Sequence, residues 1–218
     1  MRADLHVHSN YSNDGKSSPQ EIVDRAVELG LGCIAITDHN SFEAYFDVKD
    51  NGRVIIVPAE EVSSAEGHIL AYGIDREIPR GLSIEDTIAA IREAGGYAFA
   101  AHPYRWWSGL GEKNTVEHDF DGIEARNARS VPAANRRSER LAARIGKPIS
   151  AGSDAHSLAR IGTGYVEFPD GLETWQEVVR HLMEGDVRVG SKSRTKVTTL
   201  KYGTNSIVKW MLRGFKRM

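Results

Sequence analysis

The chain has 218 residues, 40% apolar and 27% charged, an ordinary composition for one well-buried globular domain. Its single cysteine excludes a disulfide within the chain, and no run approaches the ~18 apolar residues that a membrane span requires. The formal charge of −2 conceals an asymmetry: residues 191–218 hold eight of the 28 Lys and Arg and none of the 30 Asp and Glu, leaving a body near −10 and a tail of +8.

No apolar signal core precedes the first motif, so the expectation is a cytoplasmic protein. Strand-length apolar runs recur at 5–7, 33–37, 54–57, 68–72, 97–101, 122–125, 148–151 and 164–168. Cys33 lies inside the second run and reads as a small buried side chain. Between the runs lie amphipathic helices. The first opens on Ser18-Pro19-Gln20-Glu21, a capping box with proline at the first helical position. It continues with Ile22, Val23, Ala26, Val27 and Leu29 on one face and stops at Gly30. Another opens at Ser83 with Ile84, Ile88 and Ile91 on one side, and 132–145 and 172–184 supply two more. Such alternation predicts an α/β fold with parallel strands.

Histidines and carboxylates stand beside these runs. In His6-Val7-His8 the two imidazoles project to the same side of a strand, because side chains alternate, and both can reach one ion. Alone, that spacing fits a structural pair as well as a metal site. Thr37-Asp38-His39 and Ser153-Asp154-Ala155-His156, each directly after an apolar run, extend the pattern beyond coincidence. Ligands at the ends of many different strands favour a barrel over an open sheet, whose switch point offers only one or two strand ends.

Together these segments resemble the PHP family, the polymerase and histidinol phosphatase domain of metal-dependent phosphoesterases. The resemblance covers residues 1 to about 190 and rests on six segments. They are Asp4-Leu5-His6-Val7-His8-Ser9, Ile36-Thr37-Asp38-His39, Pro58-Ala59-Glu60-Glu61-Val62, Gly67-His68-Ile69-Leu70-Ala71-Tyr72-Gly73, Ala101-His102-Pro103 and Gly152-Ser153-Asp154-Ala155-His156. It implies a distorted (β/α)7 barrel over 1–190, with two or three divalent ions (Zn, Mn or Fe) at the C-terminal rim of the strands. His6, His8, Glu60 and Asp154 would hold the first ion, Glu60, His68 and His102 the second, and Asp14, His39 and His156 the third. Glu60 is preferred to Glu61 by the register of the motif, since adjacent strand residues face opposite ways.

The activity so implied is hydrolysis of a small phosphomonoester, a nucleotide or an oligonucleotide end by a metal-bridging hydroxide, with Asp154 orienting it or taking its proton. Arg105, Asn127, Arg129 and Arg160 are the expected substrate contacts. Tyr104, Trp106 and Trp107 around Arg105 read either as a stacking surface for a nucleobase or as an apolar lid. Hydrolysis of a C–N bond and a silent metal-binding module are the competing readings. In the tail, Ile207, Val208, Met211, Leu212, Phe215 and Met218 share one helical arc, opposite Lys209, Arg213, Lys216 and Arg217. Such a helix would dock on the body or a second subunit, or contact nucleic acid or an anionic membrane surface.

Overall fold

A computed structural model describes residues 1–192. The expected tail helix lies outside the described residues. In chain order the elements are β1 (Arg2–Val7), α1 (Pro19–Glu28), β2 (Cys33–Ile36), α2 (Glu43–Val48), β3 (Ile55–Ile56), β4 (Ala59–Ser63), β5 (His68–Tyr72), α3 (Ile84–Glu93) and β6 (Tyr97–Ala100). There follow α4 (Gly111–Glu117), β7 (Gly122–Asn127), α5 (Pro132–Ile145), β8 (Ile149–Gly152), a 3-10 turn (Leu158–Arg160), β9 (Gly164–Glu167), α6 (Trp175–Glu184) and β10 (Arg188–Ser191). No helix among the described residues is long and apolar enough to cross a membrane.

The strands form two five-stranded sheets, ordered β10-β9-β1-β2-β3 and β4-β5-β6-β7-β8. Parallel pairing holds for β1 with β2, β2 with β3, and along β6-β7-β8. Antiparallel pairing joins β4 to β5, β5 to β6, β9 to β1 and β10 to β9, so the expectation of a parallel set is corrected for half of the ladders. The reason is local for β4 and β5. Only four residues separate them, closed by the Ser64 amide donating to the Gly67 carbonyl at 2.9 Å, and a parallel crossover needs far more chain. No single closed ladder runs through both sheets among the described residues.

Backbone hydrogen bonds nonetheless join the sheets at two seams. The His8 amide donates to Ala155 O (2.8 Å) and the Asp154 amide to His6 O (2.7 Å), while the Glu61 amide donates to Asp38 O (3.1 Å). Every one of these residues belongs to, or adjoins, a histidine or carboxylate motif.

Three apolar clusters support this frame. Leu5, Cys33 and Ala35 from the first sheet meet Leu70, Tyr72 and Phe99 from the second, together with Val178 and Leu182 of α6. Within that cluster the Tyr72 hydroxyl donates to Leu5 O at 2.9 Å, and burial pushes the Cys33 thiol up. Against the first sheet packs α1 through Ile22, Val23 and Ala26. Its capping box forms as expected, with Ser18 Oγ accepting from the Glu21 amide and the Glu21 carboxylate from the Ser18 amide. Against the second packs α3, whose Ile84, Ile88 and Ile91 are buried, each contributing roughly 1.5–3 kcal/mol.

Candidate metal centre

The His6 and His8 side chains leave β1 on one side, as alternation requires, and their Nε2 atoms lie 3.1 Å apart. Glu61, on β4, faces them. Its Oε2 is 3.3 Å from each of those nitrogens and 3.1 Å from His39 Nδ1, while Oε1 is 2.9 Å from His68 Nδ1 and 2.8 Å from His102 Nε2. One carboxylate thus touches five imidazoles carried by β1, β5 and the segments after β2 and β6.

This corrects the choice of Glu60. Successive residues of β4 point to opposite faces, so Glu60 turns away from the cluster, accepting the Ile78 amide at 3.1 Å, and burial pushes its carboxyl up to about 8. Alternation along the strand separates the two neighbours, and the register turns Glu61 rather than Glu60 to the cluster.

At the other side of the cluster stand Asp154, His156 and Asp14. Asp154 Oδ1 lies 3.6 Å from His8 Nε2, and His156 Nε2 lies 2.8 Å from Asp14 Oδ2. His39 Nε2 is 3.9 Å from Asp14 Oδ1. Asp14 therefore stands beside His39 and His156.

Charge shapes these groups strongly. Burial works to lower His6, but the carboxylates of Glu124, Glu61 and Asp154 outweigh it and raise the imidazole well above the usual range. Burial and the neighbouring imidazole of His39 hold His8 well below it. Although burial opposes ionisation of Asp154, Arg105 and Arg129 hold its carboxyl well below the usual range.

The donor set fits divalent ions. Ligating atoms of His6, His8 and Glu61, of His39, Glu61 and His68, of His6, His102 and Asp154, and of His8, His39 and His156 lie within 4.8 Å of one another in each group. Asp14 Oδ1 is buried without a hydrogen-bond donor among the described residues. Imidazole mixed with carboxylate suits zinc, manganese or iron better than calcium or magnesium.

Two aspartates that carry no ligand role hold the loops bearing ligands. Asp38 accepts from the amide and hydroxyl of Ser9 (2.7 and 2.5 Å) and from the hydroxyl of Ser12 (2.6 Å). Ser12 Oγ in turn meets His8 Nδ1 at 3.2 Å. Asp4 accepts from the amides of Ser153 (2.8 Å) and Gly162 (2.7 Å), and burial raises it to about 6. Glycine at 152 is dictated by crowding: a Cβ there would stand 2.2 Å from that of His6. His102 and Asp154 adopt left-handed backbone at φ 29° and 52°, as does Asn40 at 53°.

The expected substrate contacts divide. Arg105, only 9% exposed, donates from Nη2 to Asp154 Oδ2 at 2.5 Å and to Asn127 Oδ1 at 2.7 Å. Arg129 Nη1 donates to Asp154 Oδ1 at 2.8 Å and contacts the His156 ring. Asn127 is buried, and its amide joins Asp154, Glu124 and Arg105. Arg160 occupies the 3-10 turn, where its carbonyl accepts from Thr163; no described hydrogen bond or ion pair ties its guanidinium to the cluster. Trp106 is 79% exposed, which does not suit the apolar-lid reading, while Arg105 lies 5.9 Å from the Trp107 ring centre.

Glu124 escaped the motif-based reading. It is a carboxylate buried in the middle of β7, bonded to His6 Nδ1 at 2.9 Å. The available signal was a lone acidic residue between Ile123 and Ala125 in an apolar run.

The family model for the PHP domain matches residues 4–99, and one for a PHP-associated region matches residues 132–187. An uncharacterized protein of Methanocaldococcus jannaschii is 37% identical over 142 residues, 59% of this chain and 82% of that one. The chain belongs to the PHP domain family. An error-prone DNA polymerase of Mycobacterium bovis is 54% identical over 126 residues of this PHP chain, 56% of its length but only 11% of the polymerase. Among solved structures, a two-domain protein from Bacteroides vulgatus, containing a predicted PHP-like metal-dependent phosphoesterase, superposes with a TM-score of 0.72 at 17% identity. That match covers 88% of this chain and 64% of the other, and at such identity it speaks to fold alone.

Proposed function

We propose that this PHP chain is a metal-dependent phosphoesterase that cleaves a small phosphomonoester, a nucleotide or an oligonucleotide end. In this reading the two sheets act as an incomplete (β/α)7 barrel over residues 1–190, with its metal site at the C-terminal rim of the strands. The observation that carries the reading is Glu61: both of its oxygens contact imidazoles, five in all, beside a second carboxylate, Asp154, that carries two arginines.

Two or three divalent ions would be held by His6, His8, Glu61 and Asp154, by Glu61, His68 and His102, and by Asp14, His39 and His156. When bound, they would supply Lewis acidity toward the phosphoryl oxygens and make a water acidic enough to attack near neutral pH. Asp154, kept ionised by Arg105 and Arg129, would orient that water or take its proton. The Arg105 guanidinium also offers a donor to a phosphoryl oxygen, since its Nε has no hydrogen-bond partner among the described residues. Trp106, 79% exposed, is the aromatic surface that this reading assigns to a nucleobase.

Elemental analysis of the purified protein, combined with turnover on phosphomonoesters, nucleotides, short oligonucleotides and amides, tests the reading. Bound zinc, manganese or iron with phosphoester turnover is expected. Activity on amides with none on phosphoesters would overturn it.

A further inference from the structure

We propose that Glu124 is a positioning residue of the metal centre, one carboxylate that orients His6 directly, His102 through its backbone and Asp154 through Asn127. The inference rests on the metal-centre reading and deepens it.

Glu124 is 1% exposed, and water contributes almost nothing to its solvation. Donors from three segments solvate it instead. Oε1 is 2.9 Å from His6 Nδ1 and 3.0 Å from Asn127 Nδ2, while Oε2 accepts the His102 amide at 2.8 Å. Each contact has a separate consequence for a ligand.

A carboxylate can only accept, so the neutral His6 ring, the form that binds a metal, carries its hydrogen on Nδ1. Nε2 is left with its lone pair, and Nε2 is the atom that faces His8 and Glu61. At His102 the φ of 29° is unfavourable for a residue with a side chain, and its amide bonds Glu124. That bond offsets the strain and fixes the direction in which the ring leaves the end of β6. For Asn127, the carboxylate decides which end of the amide faces inward. With NH2 donating to Glu124 and to Asp154 Oδ2 (3.0 Å), Oδ1 is left to accept from Arg105 and from the Arg129 amide (2.9 Å). Reversing the amide would face oxygen against both carboxylates.

Of the buried carboxylates near β1 outside the proposed ligand sets, Asp4 and Asp38 lack this reach. Asp4 and Asp38 cap backbone and serine groups of loops, whereas Glu124 contacts a ligand ring, a ligand backbone and the residue that braces a ligand carboxylate.

The test uses the full chain and its near-isosteric variant Glu124→Gln, which keeps the shape and can donate as well as accept. Nitrogen-15 NMR of the metal-free proteins, at a pH high enough that the His6 ring is neutral, reads its tautomer, and competition against a chromophoric chelator reads affinity for Zn2+ and Mn2+. Wild type should hold His6 as the Nδ1–H tautomer. Glu124→Gln should shift it toward Nε2–H and weaken metal binding by ~10–100-fold, and Glu124→Asp should retain the tautomer. An unchanged tautomer together with metal affinity within about twofold of wild type would overturn the proposal. Should Glu124→Gln fail to fold, Asn127→Ser decides. Its metal affinity should fall roughly tenfold with His6 unchanged, and wild-type affinity there would overturn the proposal. A wild-type protein that binds neither metal would refute the metal-centre reading itself, a result separate from the tautomer measurement.

Discussion

The first sheet presents its candidate ligands where parallel strands stop: His6 and His8 at the end of β1, His39 just past β2. The second carries two of its acidic groups within strands, Glu61 inside β4 and Glu124 inside β7. The difference decides what can go wrong. A ligand at a strand end depends on the loop that follows, and here Asp38 ties down the loop after β1 through Ser9 and Ser12. A ligand inside a strand depends on register alone, because a shift of one residue sends it through the sheet to the opposite face.

Four measurements can break or sharpen that contrast. The largest effect belongs to Glu61→Gln, which should cost metal content and lower turnover by more than the ~10–100-fold typical of residues that only support ligands. Its neighbour Glu60→Gln should keep wild-type metal content by elemental analysis. If the two variants behaved alike, register would not be what separates them. Next comes Asp38→Ala. Losing a buried charge-assisted bond costs about 1.5–3 kcal/mol, so denaturant unfolding should show destabilisation of at least that size. An unchanged midpoint would mean that the loop after β1 holds itself.

Arg105→Ala follows, on the loop after β6. Losing its charge-assisted contact should raise KM for a phosphoester roughly tenfold or more, while metal content stays at the wild-type level. A change confined to kcat would instead assign Arg105 to Asp154 alone. The smallest effect concerns Tyr104 on the same loop. Burial and its hydrogen bond to Glu112 push the phenol up to about 12 from 10.0, so its protonated form is favoured by folding. The associated stability is complete below the unfolded value and is lost as pH rises through the folded one. The difference in 295 nm absorbance between wild type and Tyr104→Phe should report that late titration, and Glu112→Gln should bring it down.

Much of this was legible in the chain. His6 with His8, His39, and Asp154 with His156 follow apolar runs that are short and bounded, so both the strand and its end could be located, and the helices at Ser18 and Ser83 announce themselves with caps. Glu60 and Glu61 could not be separated that way. Strand β4 is Ala59–Ser63, with two adjacent acids and little apolar content, so its phase comes from pairing with β5 rather than from its own pattern. Helices α2 and α4 were missed for a related reason: they are short, and Phe42 and Leu110 at their N-caps make no side-chain capping bond. Glu124 was hidden between Ile123 and Ala125, in the short apolar stretch that opens β7.

The left-handed backbone at Asn40, His102 and Asp154 has an evolutionary consequence. Glycine at any of them would relieve backbone strain of ~1–3 kcal/mol, but only by giving up the bonds of the side chain. At His102 and Asp154 the step would delete a proposed ligand, and at Asn40 it would delete the side chain that bonds Ser63 across a seam between the sheets. A laboratory selection for thermal stability should therefore refuse glycine at Asp154, where two arginines would lose their carboxylate, and one that also demands bound metal should refuse it at His102 as well.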